Sequence, residues 1–176
     1  MIQEILEKID PSKTVDRDLI AKAFEFAKKA HEGQYREGGE PYITHPVAAA
    51  KIIADLKLDS AAIAACLMHD VLEDTSITEK EMEKEFGKEV TFLVKGVTKL
   101  KKIDVASEDQ EGLDAKRPVQ HRHRDGQSLR KMFFAMAEDI RVILIKLADR
   151  YHNMTTLRTC APEKRKRIAL ETLEIY

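Results

Sequence analysis

His69-Asp70-Val71-Leu72-Glu73-Asp74 sets one histidine and three carboxylates within six residues, directly after the apolar run Ala61-Ala62-Ile63-Ala64-Ala65-Cys66-Leu67-Met68. On an α-helix His69 and Glu73 are i, i+4 neighbours, as are Asp70 and Asp74, so the spacing predicts four side chains sharing an arc of roughly 140°. Burying that much charge without compensation costs several kcal/mol per group. A divalent cation compensates it, and a cation beside spare carboxylates points to hydrolysis, because the metal lowers the pKa of bound water.

Adjacent His69 and Asp70 supply two ligands, and an octahedral hydrolytic site needs further imidazole or carboxylate groups while keeping open positions for water. His45, in Pro41-Tyr42-Ile43-Thr44-His45-Pro46, is the candidate third ligand. Asp149, in Lys146-Leu147-Ala148-Asp149-Arg150-Tyr151-His152-Asn153, is the candidate fourth. Asp149 follows the apolar run Val142-Ile143-Leu144-Ile145, so its helix is expected to be central. Each also has an ordinary reading: His45 as a hydrogen-bonded helix-start residue, Asp149 as half of an ion pair with Arg150, His69-Asp70 as a chance dipeptide. The combination favours ligation, and the one visible ligand set points to a single cation. His31 and His152 are assigned packing or ligand-supporting roles, and His121 and His123 are expected to be solvated.

Arg36, Lys146, Asn153, Thr156 and Arg158 form a second group. Lys146, Asn153 and Thr156, spaced by seven and three residues, share one helix face with Asp149. A cation, an amide and a hydroxyl on the face that carries a candidate metal carboxylate suit a nucleotide phosphate and base. A solvated helix face is the commoner origin of such a pattern, and the two readings stay open at this level.

These residues need elements to hold them, and nearly every segment reads helical. Residues 16–31 carry Leu19, Ile20, Ala23, Phe24, Ala27 and Ala30 at helical spacing and stop at Gly33. The stretch 34–41 is rich in turn residues. Thr44 is expected to N-cap a helix with Pro46 in its first turn, running to about Leu56, and Asp59 to cap the next, which delivers His69 and Asp70 at its far end. Thr78-Glu79-Lys80-Glu81 has the capping-box pattern and opens a helix ending near Gly87, with another following to about Leu100. Periodicity vanishes over 104–127, which reads as a long mobile loop. It returns from Leu129 to about Leu157 with a break near Glu138-Asp139, and Pro162 opens a last helix. No strand is visible, so the expected fold class is all-α.

The 176 residues, 43% hydrophobic and 35% charged, suit one ordinary globular domain. A net charge of −1, from 30 basic and 31 acidic residues, argues against a domain whose main task is binding nucleic acid. No apolar run is long enough to span a bilayer, and no leader is visible. The two cysteines, Cys66 and Cys160, have neither disulfide-framework nor CxxC spacing, and Cys66 reads as a small buried hydrophobe. A reducing, cytoplasmic location fits.

The order His45, His69-Asp70, Asp149 is similar to the HD-superfamily metal signature. Gly39-Glu40-Pro41-Tyr42-Ile43-Thr44-His45-Pro46, Met68-His69-Asp70-Val71-Leu72-Glu73-Asp74-Thr75, Val97-Thr98-Lys99-Leu100 and Ile145-Lys146-Leu147-Ala148-Asp149-Arg150-Tyr151-His152-Asn153-Met154 closely resemble the hydrolase domain of the bifunctional RelA/SpoT-type (Rel) alarmone enzymes. The resemblance covers nearly the whole chain apart from 104–127. It implies a helical HD bundle and manganese (Mn2+) as the cation. It also implies hydrolysis of the 3′-pyrophosphate of (p)ppGpp, either ppGpp or pppGpp, to GDP or GTP plus pyrophosphate in the stringent response. The implied metal ligands are His45, His69, Asp70 and Asp149, and the catalytic pair Glu73 and Asp74. The implied nucleotide contacts are Arg36, Asn153 and Thr156. Residues 1–176 would then be a hydrolase domain, the N-terminal part of a longer protein continuing into a synthetase domain. Glu37 stands where the family often has lysine, and Tyr151 where leucine is usual. Two alternatives are another HD-type nucleotide phosphohydrolase, which would release orthophosphate, and a catalytically silent nucleotide-sensing domain, which would bind metal without turnover.

Overall fold

The computed structural model describes residues 1–9, 15–106 and 139–175. Within them lie α1 (Ile2–Lys8), α2 (Arg17–Ala30), α3 (Thr44–Asp55), α4 (Ser60–Leu67), α5 (Val71–Asp74), α6 (Glu79–Ala106), α7 (Ile140–Thr155), a 3₁₀ turn (Leu157–Thr159) and α8 (Pro162–Ile175). Among the described residues there is no strand, only an isolated bridge between Tyr35 and Pro41. None of the described helices is long and apolar enough to cross a membrane.

The centre of the bundle is α4, whose sequence Ser-Ala-Ala-Ile-Ala-Ala-Cys-Leu is buried from Ala61 through Leu67. A helix apolar all round is stable only when surrounded, and α4 packs on α2, α3, α6 and α7. Its alanines keep it thin, so four neighbours approach closely. Asp59 starts it, the Oδ1 atom accepting from the Ala62 amide at 2.8 Å. Cys66 is fully buried in this packing, as its reading as a small hydrophobe requires.

Several local expectations hold because their hydrogen bonds are present. Asp16 caps α2 through the Leu19 amide. Gly33 turns the chain after α2 with φ +79°, a conformation open to glycine at little cost. The Thr78–Glu81 box closes in both directions, the Thr78 amide donating to Glu81 Oε2 at 2.8 Å and the Glu81 amide to Thr78 Oγ1 at 3.3 Å. Gly87, at φ 77° and ψ 176°, kinks α6 where a helix end was expected. Asp139 caps α7, its Oδ1 accepting from the Arg141 amide.

Three expectations need correction. Thr44 is not the N-cap of α3: Ile43 holds that position in a right-handed helical conformation without a side-chain bond. The lead-in is a tight turn in which the Thr44 amide and hydroxyl both donate to the Pro41 carbonyl and the His45 amide donates to Tyr42, so the turn satisfies the amides that a cap would have served. Residues 104–106 belong to α6, not to a loop; nothing in Lys101-Lys102-Ile103-Asp104-Val105-Ala106 interrupts a helix. The remainder of the expected loop, 107–127, and the segment from Leu129 to residue 138 lie outside the described residues, as do His121 and His123. The third correction concerns residues 68–70 and is given with the site.

α6 and α7 cross at Gly96. A Cβ built there would lie 2.8 Å from Val142 Cγ2 and 3.0 Å from Cγ1, closer than packed carbons tolerate. Gly96→Ala gains about 1 kcal/mol of helix propensity but forces the crossing apart, at about 1–3 kcal/mol for overpacking. The expected result is a lower thermal midpoint that Val142→Ala partly restores. A higher midpoint for Gly96→Ala alone would show that the crossing yields freely.

Candidate metal centre

His69 and Asp70 do not continue α4. The helix ends at Leu67, Met68-His69-Asp70 form a turn, and α5 begins at Val71. The Cys66 carbonyl, one of the last of α4, is taken by the His69 side chain, Nδ1 donating at 2.7 Å. A helix end leaves such carbonyls unpaired, and His69 fills one while orienting its own ring. Asp70 then accepts from the Glu73 amide at 3.1 Å and the Asp74 amide at 2.9 Å, nucleating α5. The predicted shared helical arc is thus replaced by a turn that still keeps His69, Asp70, Glu73 and Asp74 together.

α3 and α7 complete the cluster from opposite ends of the sequence. His45, His69, Asp70 and Asp149 are 2%, 2%, 3% and 6% exposed. One ligand atom each from His45, His69 and Asp149 lies within 4.8 Å of the others. Asp149 Oδ1 is 3.1 Å from His45 Nε2 and 3.7 Å from His69 Nε2. Asp70 Oδ2 is 3.1 Å from His69 Nε2 and 3.8 Å from His45 Nε2. His69 Nε2 is buried and makes no hydrogen bond. With Nδ1 committed to Cys66, its Nε2 is turned into the cluster. Two imidazole nitrogens and two carboxylates are a donor set that suits a divalent transition cation. The carbonyl end of α4 adds negative potential there.

The electrostatics of the cluster follow from its burial. Burial disfavours the charged form of His69, but Asp70 and Asp149 outweigh it and raise its pKa to about 10. Burial would raise the Asp149 carboxyl, yet His45, His69 and Lys146 hold it well below the ordinary range. His45 is pushed down, first by desolvation. His152 is lowered to about 4 by burial and then by His45 and Arg36.

Without a cation, therefore, His69 holds a proton that a cation must displace. The imidazolium is stabilised relative to an ordinary histidine near 6.5, in full below that value, and this is lost as pH rises through about 10. Cation affinity is expected to rise about tenfold per pH unit between roughly pH 6.5 and 9, with about one proton released per cation. Calorimetry in buffers of differing ionisation enthalpy measures that release; an affinity flat over this range would show His69 already neutral.

Around the cluster the structure places the remaining sequence candidates. Glu73 is half-buried and Asp74 exposed on α5. Asn153 Nδ2 donates to Asp149 Oδ1 at 2.7 Å, and its Oδ1 accepts from Arg36 Nη2 at 2.9 Å; the same Nη2 reaches Thr156 Oγ1 at 3.4 Å. Arg36, Asn153 and Thr156 are thus one group joined to Asp149. Lys146 is buried with Nζ 3.4 Å from Asp149 Oδ2. Arg158 is exposed. Glu37 pairs with Lys164 of α8 at 2.6 Å, and Tyr151 is exposed, so neither departure enters the cluster.

Sequence reasoning missed Tyr42. Its hydroxyl lies 2.7 Å from Asp70 Oδ2 and 2.9 Å from Asp74 Oδ2. Burial, then the two carboxylates, raise its pKa, so it remains a donor linking the turn to α5. His31 stacks on the Tyr42 ring, centroids 4.5 Å apart, and its Nδ1 meets Gln34 Oε1 at 2.8 Å. The available signal was position: in the turn that opens α3, Tyr42 precedes His45 by three residues.

An all-helical bundle with this buried histidine and aspartate constellation defines the class, and the chain belongs to the HD domain family, which matches residues 23–176. It is 47% identical over 175 residues to the bifunctional (p)ppGpp synthase/hydrolase SpoT of Escherichia coli (strain K12), covering 99% of this chain and 23% of that protein. It is 52% identical over 150 residues to a guanosine-3′,5′-bis(diphosphate) 3′-pyrophosphohydrolase of Haemophilus influenzae, covering 85% and 20%. Over 161 residues it is 48% identical to a GTP pyrophosphokinase of Myxococcus xanthus, covering 92% and 20%. The chain therefore spans less than a quarter of the length of these curated relatives. The solved structure of a metazoan SpoT ortholog described as hydrolysing ppGpp superposes with a TM-score of 0.66 at 23% identity, covering 93% of this chain and 86% of that one. The two share the fold.

Proposed function

We propose that this chain is a metal-dependent pyrophosphohydrolase acting on the 3′-pyrophosphate of (p)ppGpp, releasing GDP or GTP and pyrophosphate. The observation that carries the proposal is the convergence of His45, His69, Asp70 and Asp149 from three distant segments, with Glu73 and Asp74 on the next turn of chain. The names of the similar proteins, (p)ppGpp synthase/hydrolase and guanosine-3′,5′-bis(diphosphate) 3′-pyrophosphohydrolase, supply the substrate class. The same reading takes residues 1–176 as the hydrolase domain of a longer cytoplasmic polypeptide that also carries a synthetase domain.

In this reading His45, His69, Asp70 and Asp149 hold one divalent cation, manganese, which when bound supplies Lewis acidity to the attacked phosphoryl group and lowers the pKa of a water. Glu73 would orient the attacking water and accept its proton. Tyr42 keeps Asp74 beside Asp70, so the second carboxylate stays aligned with the first. Arg36, held by Asn153 and Thr156, and buried Lys146 present positive charge to the nucleotide phosphates. Because Asn153 also donates to Asp149, nucleotide grip and cation grip share one side chain.

The test is product analysis. Purified protein with Mn2+ and ppGpp is expected to yield pyrophosphate and GDP, and a chelator to stop the reaction. Orthophosphate as first product would favour another HD phosphohydrolase, and binding without turnover a sensing domain.

A further inference from the structure

His69 and His45 are oriented by partners of different chemistry. A backbone carbonyl faces His69 Nδ1; it only accepts, so that nitrogen carries the proton. His45 Nδ1 instead faces His152 Nδ1 at 2.7 Å, the rings tilted by 40°. An imidazole nitrogen either donates or accepts, so one proton lies between the two rings and its owner is decided by what the other nitrogens do. His152 and Asp149 are one turn apart on α7. One helix therefore addresses both nitrogens of His45: Asp149 stands 3.1 Å from Nε2 and His152 stands at Nδ1.

We infer that His152 is a positioning residue for the cation site: it accepts the Nδ1 proton of His45 and so holds the Nε2 lone pair toward the cation. The inference rests on the reading of the cluster as a cation site. Neutral His45 can ligate through Nε2 only as the Nδ1–H tautomer, and that N–H, buried with the ring, needs an acceptor. His152 is the side chain that the structure places there. Hydrogen-bond partners behind ligating histidines fix tautomer and ring orientation, and their loss weakens metal binding about 10–100-fold.

The experiment measures Mn2+ affinity by the electron paramagnetic resonance signal of unbound Mn2+, in wild type, His152→Ala and His152→Asn, with metal-free thermal midpoints recorded in parallel. His152→Ala is expected to bind Mn2+ about 10–100-fold more weakly. His152→Asn, whose amide oxygen occupies the place of Nδ1 and can accept, is expected to return to within about threefold of wild type. A role in packing alone would lower the midpoint without this split in affinity. In Zn2+-loaded wild type, long-range proton–nitrogen correlations are expected to show His45 protonated at Nδ1. Unchanged affinity in His152→Ala, equal loss in both variants, or a proton on His45 Nε2 would each overturn the inference. Wild type that binds no Mn2+ would overturn the reading of the cluster itself, a separate and recognisable result.

Discussion

Asp70→Asn is expected to reduce hydrolysis on the order of 10³-fold or more and to weaken cation binding in the same preparation. The amide keeps the volume of the carboxylate, so the turn at residues 68–70 and its bonds to the Glu73 and Asp74 amides stay built. What is lost is one negative charge beside His69 Nε2, which in the proposed site is a cation ligand. Lewis-acid stabilisation of the transition state is worth several kcal/mol, and about 1.4 kcal/mol corresponds to each factor of ten in rate. Stability provides an independent readout. A cation that binds only the folded protein raises the unfolding free energy by about 2.7 kcal/mol at a hundred times its dissociation constant. Wild type should therefore melt higher with added Mn2+, and Asp70→Asn should not. Hydrolysis that persists in the variant together with tight Mn2+ binding would remove Asp70, and with it the four-ligand site.

Glu73→Gln separates chemistry from cation holding. Glu73 lies on α5, one residue beyond the Val71–Leu72 step that carries the chain out of the ligand turn, and its amide is anchored to the Asp70 carbonyl at 3.1 Å. It is half-buried on the turn that follows Asp70, and in the proposed mechanism it stands outside the set that grips the cation. Removing a positioned general base slows turnover by about 10²–10⁴. Mn2+ affinity is expected to remain within about twofold of wild type, and kcat to fall with little change in KM. Turnover at the wild-type rate would leave Glu73 without a catalytic role and shift attention to Asp74.

The contrast between these two variants depends on a division of labour that the linear order partly displays. His69, Asp70, Glu73 and Asp74 are adjacent, so their association survived even though the helix expected to carry them is interrupted. The interruption was not legible, because it comes from the His69 side chain capturing the Cys66 carbonyl. That choice depends on the neighbours that bury α4 and orient the ring. Thr44 illustrates the same limit: its type suits a cap, but the Pro41 turn had already satisfied the local amides.

By itself the sequence determined most of the helices, several of their starts and stops, and the residue types fit to hold a cation. These follow from hydrophobic period, from caps such as Asp59 and Thr78, and from the breaks at Gly33 and Gly87, all local features of the chain. Only the tertiary structure decided that His45 and Asp149, 104 residues apart in number, meet at 3.1 Å, that Tyr42 spans Asp70 and Asp74, and that His152 stands behind His45. The reason is geometric. A thin alanine helix lets α3 and α7 close on one another beside its carbonyl end, and the contacts made there depend on the packing of several helices at once.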